Sequence, residues 1–124
     1  EGTDIGEILV ARDANNLYVA VTKDIRAFFD PNSRDYYHLD VTDKMRSVLV
    51  YKYRNNAPSH YFQGTPPAGG YRKPTYSFSA AGVEIAVPLA NFTASHLELI
   101  EYYDLGGSKY DFGLDRGPVL LKLR

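Results

Sequence analysis

The 124-residue sequence predicts an all-β fold, an antiparallel β-sandwich of eight to nine strands. Three observations predict it. Short segments rich in Val, Ile, Leu and Tyr recur along the chain, clusters of Gly, Pro, Asn and Asp separate them, and helical spacing of apolar residues is nowhere sustained. Strands spaced in this way close into a sandwich or a jelly roll. The length is close to that of one common domain, and no internal repeat, linker or low-complexity tract divides it, so residues 1–124 read as a single domain.

The elements follow in order. Ile5 to Ala11 reads as a strand, Arg12 to Asn16 as a turn, and Leu17 to Thr22 as the hairpin partner with Leu17, Val19 and Val21 on one face. After a loop containing Phe28 and Phe29, Tyr36 to Thr42 and Ser47 to Arg54 form a second hairpin turning at Asp43 to Arg46. In its second strand Leu49, Tyr51 and Tyr53 face one way and Val48 and Val50 the other. His60 to Gln63 is a short strand, and Gly64 to Pro74 a loop with three Pro and three Gly, long enough to suggest a functional loop. Thr75 to Ser79 and Val83 to Leu89 form a third hairpin around Ala80 to Gly82, with Pro88 ending its strand at a sheet edge because it has no N–H for a ladder. His96 to Tyr103 and Val119 to Leu123 supply the last strands.

Composition narrows the function classes. Hydrophobic residues at 44% and charged residues at 23% are ordinary globular values, which argues against a disordered chain. Fourteen Lys and Arg are interspersed with fifteen Asp and Glu, so no basic face is expected to meet a nucleic acid. No apolar run approaches the length of a membrane span, and membrane insertion is not expected. Glu1 to Gly6 lack the pattern of a signal peptide, so an exported protein would be represented in its mature or trimmed form. Cysteine is absent, which removes disulfides, thiolate metal sites and thiol nucleophiles together. Eleven tyrosines and no tryptophan are the strongest anomaly, because Tyr joins strand propensity to a polar tip suited to wet binding surfaces.

No catalytic centre is legible. His38, His60 and His96 stand far apart, without metal-ligand spacing, and read as structural or peripheral. No nucleophile elbow surrounds a serine. Asp40 with Asp43, and Glu98 with Glu101, are carboxylate pairs three residues apart, which on a strand point to opposite faces and do not converge as acid and base. Asn91-Phe92-Thr93 is a glycosylation sequon in an expected loop.

The middle of the chain carries the groups that a sugar site needs. Sugar rings present flat C–H patches rimmed by hydroxyls, so their sites combine aromatic faces with amide, carboxylate or guanidinium groups. Tyr51, Tyr53, Tyr61, Tyr71 and Tyr76 are the candidate platforms, and Arg54, Asn55, Asn56, His60, Gln63 and Arg72 the candidate hydrogen-bonding groups. The alternative for each tyrosine is to fill or cover the sandwich. Asp30, Asn32 and Asp35 place oxygens at spacings suited to a structural calcium ion, with a surface turn held by Asx hydrogen bonds as the alternative. Asp104, Asp111 and Asp115, among Gly106, Gly107 and Gly113, form a second candidate calcium set.

Three stretches together resemble the DOMON-like fold in its family-nine carbohydrate-binding-module branch. They are Asp13-Ala14-Asn15-Asn16-Leu17-Tyr18-Val19-Ala20-Val21 with Asp4-Ile5 before it, Tyr37-His38-Leu39-Asp40-Val41, and Ala81-Gly82-Val83-Glu84-Ile85-Ala86-Val87-Pro88-Leu89. The resemblance covers most of the chain. It implies a non-catalytic, extracellular or cell-surface module that binds a polysaccharide, draws attention to Glu84, and strengthens the calcium expectation. Haem-binding relatives use Met and His ligands, whereas Met45 lies in an expected turn without a matching His, so haem is not expected.

Family members usually begin with a further strand carrying a Trp, which this sequence lacks. An open sheet edge accepts a strand from another chain. The alternative function is therefore a structural subunit of an extracellular filament, tube or surface layer, whose partners are neighbouring copies of itself joined through sheet edges and calcium.

Overall fold

A computed structural model describes residues 7–22, 30, 36–53, 56–93, 96–104, 110–111 and 119–122. The described chain is almost entirely β. Its strands are β1 (Glu7–Arg12), β2 (Asn16–Thr22), β3 (Tyr36–Thr42), β4 (Arg46–Tyr53), β5 (Ser59–Gly64), β6 (Thr75–Ser79), β7 (Gly82–Pro88), β8 (His96–Asp104), β9 (Tyr110–Asp111) and β10 (Val119–Lys122). A 3₁₀ turn, Leu89–Asn91, follows β7. No helix among the described residues is long and apolar enough to cross a membrane.

The first two hairpins close by the same device. Asp13 Oδ1 accepts the backbone N–H groups of Asn15 and Asn16, both at 2.8 Å. Asp43 Oδ1 accepts those of Met45 and Arg46, both at 2.7 Å. Each aspartate thus satisfies donors that a tight turn would leave orphaned, which is why Asp recurs at this position. The third hairpin turns at Ala80 and Ala81, with Ser79 opposite Gly82.

All pairings are antiparallel. One sheet has the order β1-β2-β7-β6, and the other the order β10-β8-β3-β4-β5, with β9 also paired to β8. The predicted strands are therefore present with ends shifted by a residue or two, and β9 is an addition. The edge placement of Pro88 is corrected: β7 lies between β2 and β6. The proline is tolerated because β6 reaches only as far as Ala86, leaving Pro88 opposite Asn16 alone.

Period-two alternation builds the core. Leu17, Val19, Val21, Val83, Ile85 and Val87 from one sheet meet Tyr37, Leu39, Val41, Val48, Val50, Leu97 and Leu99 from the other, all buried. Among the described residues, Tyr37, Glu101 and Lys52 bring polar groups into this layer with hydrogen bonds in place, although Glu101 Oε1 has none. The Tyr37 hydroxyl donates to Glu101 Oε2 at 2.5 Å, and Lys52 Nζ donates to the Asn56 carbonyl at 2.5 Å. Burial, with the Glu101 carboxylate beside it, pushes the Tyr37 hydroxyl well above its ordinary pKa.

Gly64 ends β5 with φ +99°, and a Cβ built there would lie 2.0 Å from the Met45 carbonyl oxygen. Both the left-handed backbone and the close approach demand glycine. Gly64→Ala is expected to destabilise the domain by more than about 1 kcal/mol, read as a lower midpoint in urea denaturation.

Candidate functional site

The structure divides the sequence-predicted ligand residues into separate locations. Tyr51, Tyr53, Tyr61 and Gln63 lie on the outer face of the larger sheet, since their cross-strand partners His38, Tyr36, Leu49 and Ser47 alternate with the buried residues. Glu84 lies on the outer face of the smaller sheet, exposed, between Ala20 and Ser77. Arg54 and Asn55 fall outside the described residues.

His60, Tyr71 and Tyr76 do not join that face. His60 is in register with buried Val50, so it points between the sheets, where its Nδ1 and the Tyr76 hydroxyl hydrogen-bond at 3.0 Å. That contact ties β5 to β6 and closes one side of the sandwich. Tyr71 stacks on Phe62 with ring centroids 4.6 Å apart and planes 4° from parallel, and its hydroxyl donates to the Gln63 carbonyl at 2.7 Å. The two candidate platforms Tyr71 and Tyr76 and the candidate hydrogen-bonding group His60 are half-buried and engaged in contacts that hold the fold.

The Gly64 to Pro74 loop is pinned along its length. Arg46 Nε donates to the Thr65 carbonyl at 2.7 Å, and Pro74 is buried. Asn91 has no exposed surface; its Oδ1 accepts the Arg72 N–H at 2.7 Å and its Nδ2 donates to the Arg72 carbonyl at 2.9 Å. A glycan on Nδ2 of this sequon asparagine would displace that pairing. The Arg72 side chain remains exposed, but its backbone belongs to the clamp.

The outer face of the larger sheet holds a cluster that the sequence reading only half identified. Tyr36 sits at its centre, with ring centroids 5.5 Å from His38, 6.3 Å from Tyr51, 6.2 Å from Tyr53 and 6.2 Å from Tyr102. His38 and Tyr102 stack at 5.3 Å, and the Tyr36 hydroxyl hydrogen-bonds His38 Nδ1 at 3.1 Å. None of the five rings is fully buried, and Tyr53 is 40% exposed. On the adjoining edge strand Tyr61 is 54% exposed. Burial raises the pKa of Tyr36, helped by Tyr51, Tyr102 and Asp40, while burial lowers that of His38 below its ordinary value.

Beyond the rings the face turns acidic. Asp40 lies between Leu49 and Ile100, and Thr42, the next outward residue on its strand, lies between Ser47 and Glu98. Burial and the charge of Glu98 raise the Asp40 carboxyl to a pKa of about 6.

The smaller sheet offers a different outer face. Its shallow depressions are lined largely by small residues, including Ala20, Ser77 and Ala86, with Tyr18 and Glu84. The Tyr18 hydroxyl is engaged by Asp13 Oδ2 at 2.7 Å.

Of the calcium candidates, Asp30 is exposed, while Asn32, Asp35 and Asp115 fall outside the described residues. The backbone pairs Asp104 with Tyr110 and Asp111 with Tyr103 on successive rungs. Among the described residues no group of three or more His, Asp or Glu side chains is placed to hold a metal ion. Compared with known protein families, curated proteins and solved structures, the chain matches none.

Asn91→Ala is expected to cost about 1–3 kcal/mol, since it leaves two half-buried backbone groups of Arg72 without partners. Chemical denaturation monitored by tyrosine fluorescence measures the loss.

Proposed function

We propose that this domain is a non-catalytic carbohydrate-binding module that presents the outer face of its larger sheet to a polysaccharide. The observation that carries the reading is the five-ring cluster of Tyr36, His38, Tyr51, Tyr53 and Tyr102, held together on a solvent-facing sheet surface. Aromatic cross-strand pairs alone stabilise a sheet by about 0.2–1 kcal/mol each. A contiguous patch of partly exposed rings goes beyond that need and is the kind of surface that marks an interaction site. Ring faces suit the C–H patches of sugars, and Asp40, Thr42, Ser47 and Gln63 supply polar groups for hydroxyls along the same face. An extracellular or cell-surface setting accords with this role.

Electrophoresis through gels containing xylan, mannan, mixed-linkage β-glucan or polygalacturonate tests the reading. Retardation by at least one neutral polysaccharide is expected. Tyr51→Ala should weaken binding about tenfold, equivalent to about 1.4 kcal/mol. Tyr76→Phe, which alters a hydroxyl between the sheets, should leave binding unchanged. Free migration in every gel, or equal retardation of Tyr51→Ala, would overturn the proposal.

A second reading, a structural subunit assembled through sheet edges, is favoured by Val10. Strand β1 ends the smaller sheet, and Val10 is in register with buried Val19, so it points toward the inter-sheet layer yet is 41% exposed. Leu9 beside it is 55% exposed. A strand added from another copy would cover both the edge and Val10. On this reading sedimentation velocity shows large species, promoted by calcium and abolished by Val10→Lys; a monomer with calcium and with chelator alike counts against it.

A further inference from the structure

Among the described residues of the ring face, Asp40 has a carboxylate oxygen that the fold leaves without a donor. It stands mid-way along β3, two residues from His38 and flanked by the apolar side chains of Leu49 and Ile100. Its Oδ1 atom is shielded from water and has no hydrogen-bond partner. On the inner side of the sheet Glu101 Oε1 is likewise shielded and without a hydrogen bond, but there the other carboxylate oxygen receives the Tyr37 hydroxyl, and Lys52 donates to the Asn56 carbonyl. A shielded acceptor without a donor is a standing cost to the folded state, and leucine or asparagine would fit the same position without an ionised group. Sites where a fold departs from its own best packing are expected to be functional ones.

Resting on the carbohydrate reading above, we infer that Asp40 is the specificity-determining acceptor of the ring face: it takes hydrogen bonds from the hydroxyls of a neutral sugar seated over His38, Tyr51 and Tyr102, and with Glu98 it turns acidic sugars away. Alternate residues on a strand lie about 7 Å apart, so the rim of a sugar resting on the ring row overhangs the Asp40 row. Turning the carboxylate toward that rim sacrifices no hydrogen bond made by Oδ1, because it makes none. The hydroxyl then supplies the donor that the protein does not. A uronate in the same place would bring its carboxylate against Asp40 and Glu98, a like-charge contact in a partly desolvated site.

Protonation should gate this contact. The titratable groups sharing the face are Tyr36 and His38 on β3, Tyr51 and Tyr53 on β4, Tyr61 on β5, and His96, Glu98 and Tyr102 on β8. Asp40 has a folded-state pKa of about 6, above its ordinary value of 3.8. The folded state therefore holds the Asp40 proton more tightly than the unfolded chain, so Asp40 favours folding below about pH 4 and this contribution is lost as pH rises through about 6. Above that value the carboxylate is ionised, ready for a ligand and unfavourable to the fold. Below it the stronger acceptor is gone.

The experiment uses the intact domain, its Asp40→Asn and Asp40→Leu variants, and Tyr51→Ala. Affinity is measured by electrophoresis in the xylan, mannan, β-glucan and polygalacturonate gels at about pH 7.5 and about pH 5, on either side of the Asp40 value, alongside thermal denaturation. Both Asp40 variants should melt at higher temperature than wild type at the higher pH, with the gap closing at the lower. Asp40→Leu should lose about tenfold or more in affinity for the neutral polysaccharide, and wild type should weaken on acidification while Asp40→Asn changes little. Wild type should migrate freely through polygalacturonate. If Tyr51→Ala weakens binding but both Asp40 variants bind like wild type, the ring site stands and the role of Asp40 falls. Variants that melt lower than wild type would make Asp40 a structural residue, and stronger retention by polygalacturonate than by neutral gels would overturn the selectivity. Absence of binding in every gel would overturn the carbohydrate reading and this inference with it.

Discussion

The register of the β3–β4 hairpin is the constraint on which the rest of the structure depends, and the side chains of Asp43 and Thr42 hold it. Asp43 Oδ1 takes the N–H groups of Met45 and Arg46, the Asp43 N–H donates to the Arg46 carbonyl at 2.9 Å, and Thr42 is thereby set opposite Ser47. Because side chains alternate with a period of two, a slip of one residue would exchange the core face for the solvent face. With the register held, Tyr37, Leu39 and Val41 enter the sandwich while Tyr36, His38 and Asp40 face outward. As β3 lies between β4 and β8, the same choice passes to Val50 and Tyr51 on one side and to Leu99 and Tyr102 on the other.

Legibility in the sequence followed the distance over which each feature is determined. The two Asp-closed hairpins are local, and the alternation of Val48 and Val50 with Leu49, Tyr51 and Tyr53 follows from strand geometry alone. The turn at Asp43 even contains the pairing of Tyr36 with Tyr53 and His38 with Tyr51, so part of the ring cluster was there to be read by counting outward from it. Tyr102 was not, because its place beside His38 depends on β8 pairing with β3 after some sixty intervening residues. Tyr71 and Tyr76 looked like the other tyrosines and separate from them only through the tertiary closure of β5 against β6. Asn91 shows the same limit. A sequon reports a glycosylation signal, whereas its buried amide belongs to a clamp on a backbone nineteen residues away.

The larger sheet keeps two kinds of polar group, and the difference between them is chemical. On its inner side Glu101 receives the Tyr37 hydroxyl at Oε2, so one of its two carboxylate oxygens is buried with a donor in place while Oε1 has no hydrogen bond. On its outer side Asp40 has a shielded oxygen without one. The first arrangement lowers the cost of burying polarity and specifies how β3 and β8 meet. The second leaves that cost standing while the carboxylate is ionised, and protonation below about pH 6 reduces it.

The two sheets divide the possible contacts between them. The smaller sheet has shallow depressions on its outer face and an edge, β1, where Val10 is 41% exposed. The larger sheet carries the rings and the acidic row, and its β5 side is closed onto β6 by His60 and Tyr76. Occupation of the β1 edge by another copy would therefore not require the ring face, and a polysaccharide on the ring face would not require the edge. The two proposed roles would draw on different surfaces, since Tyr51 on β4 and Val10 on β1 belong to separate sheets, so substitutions there test them independently.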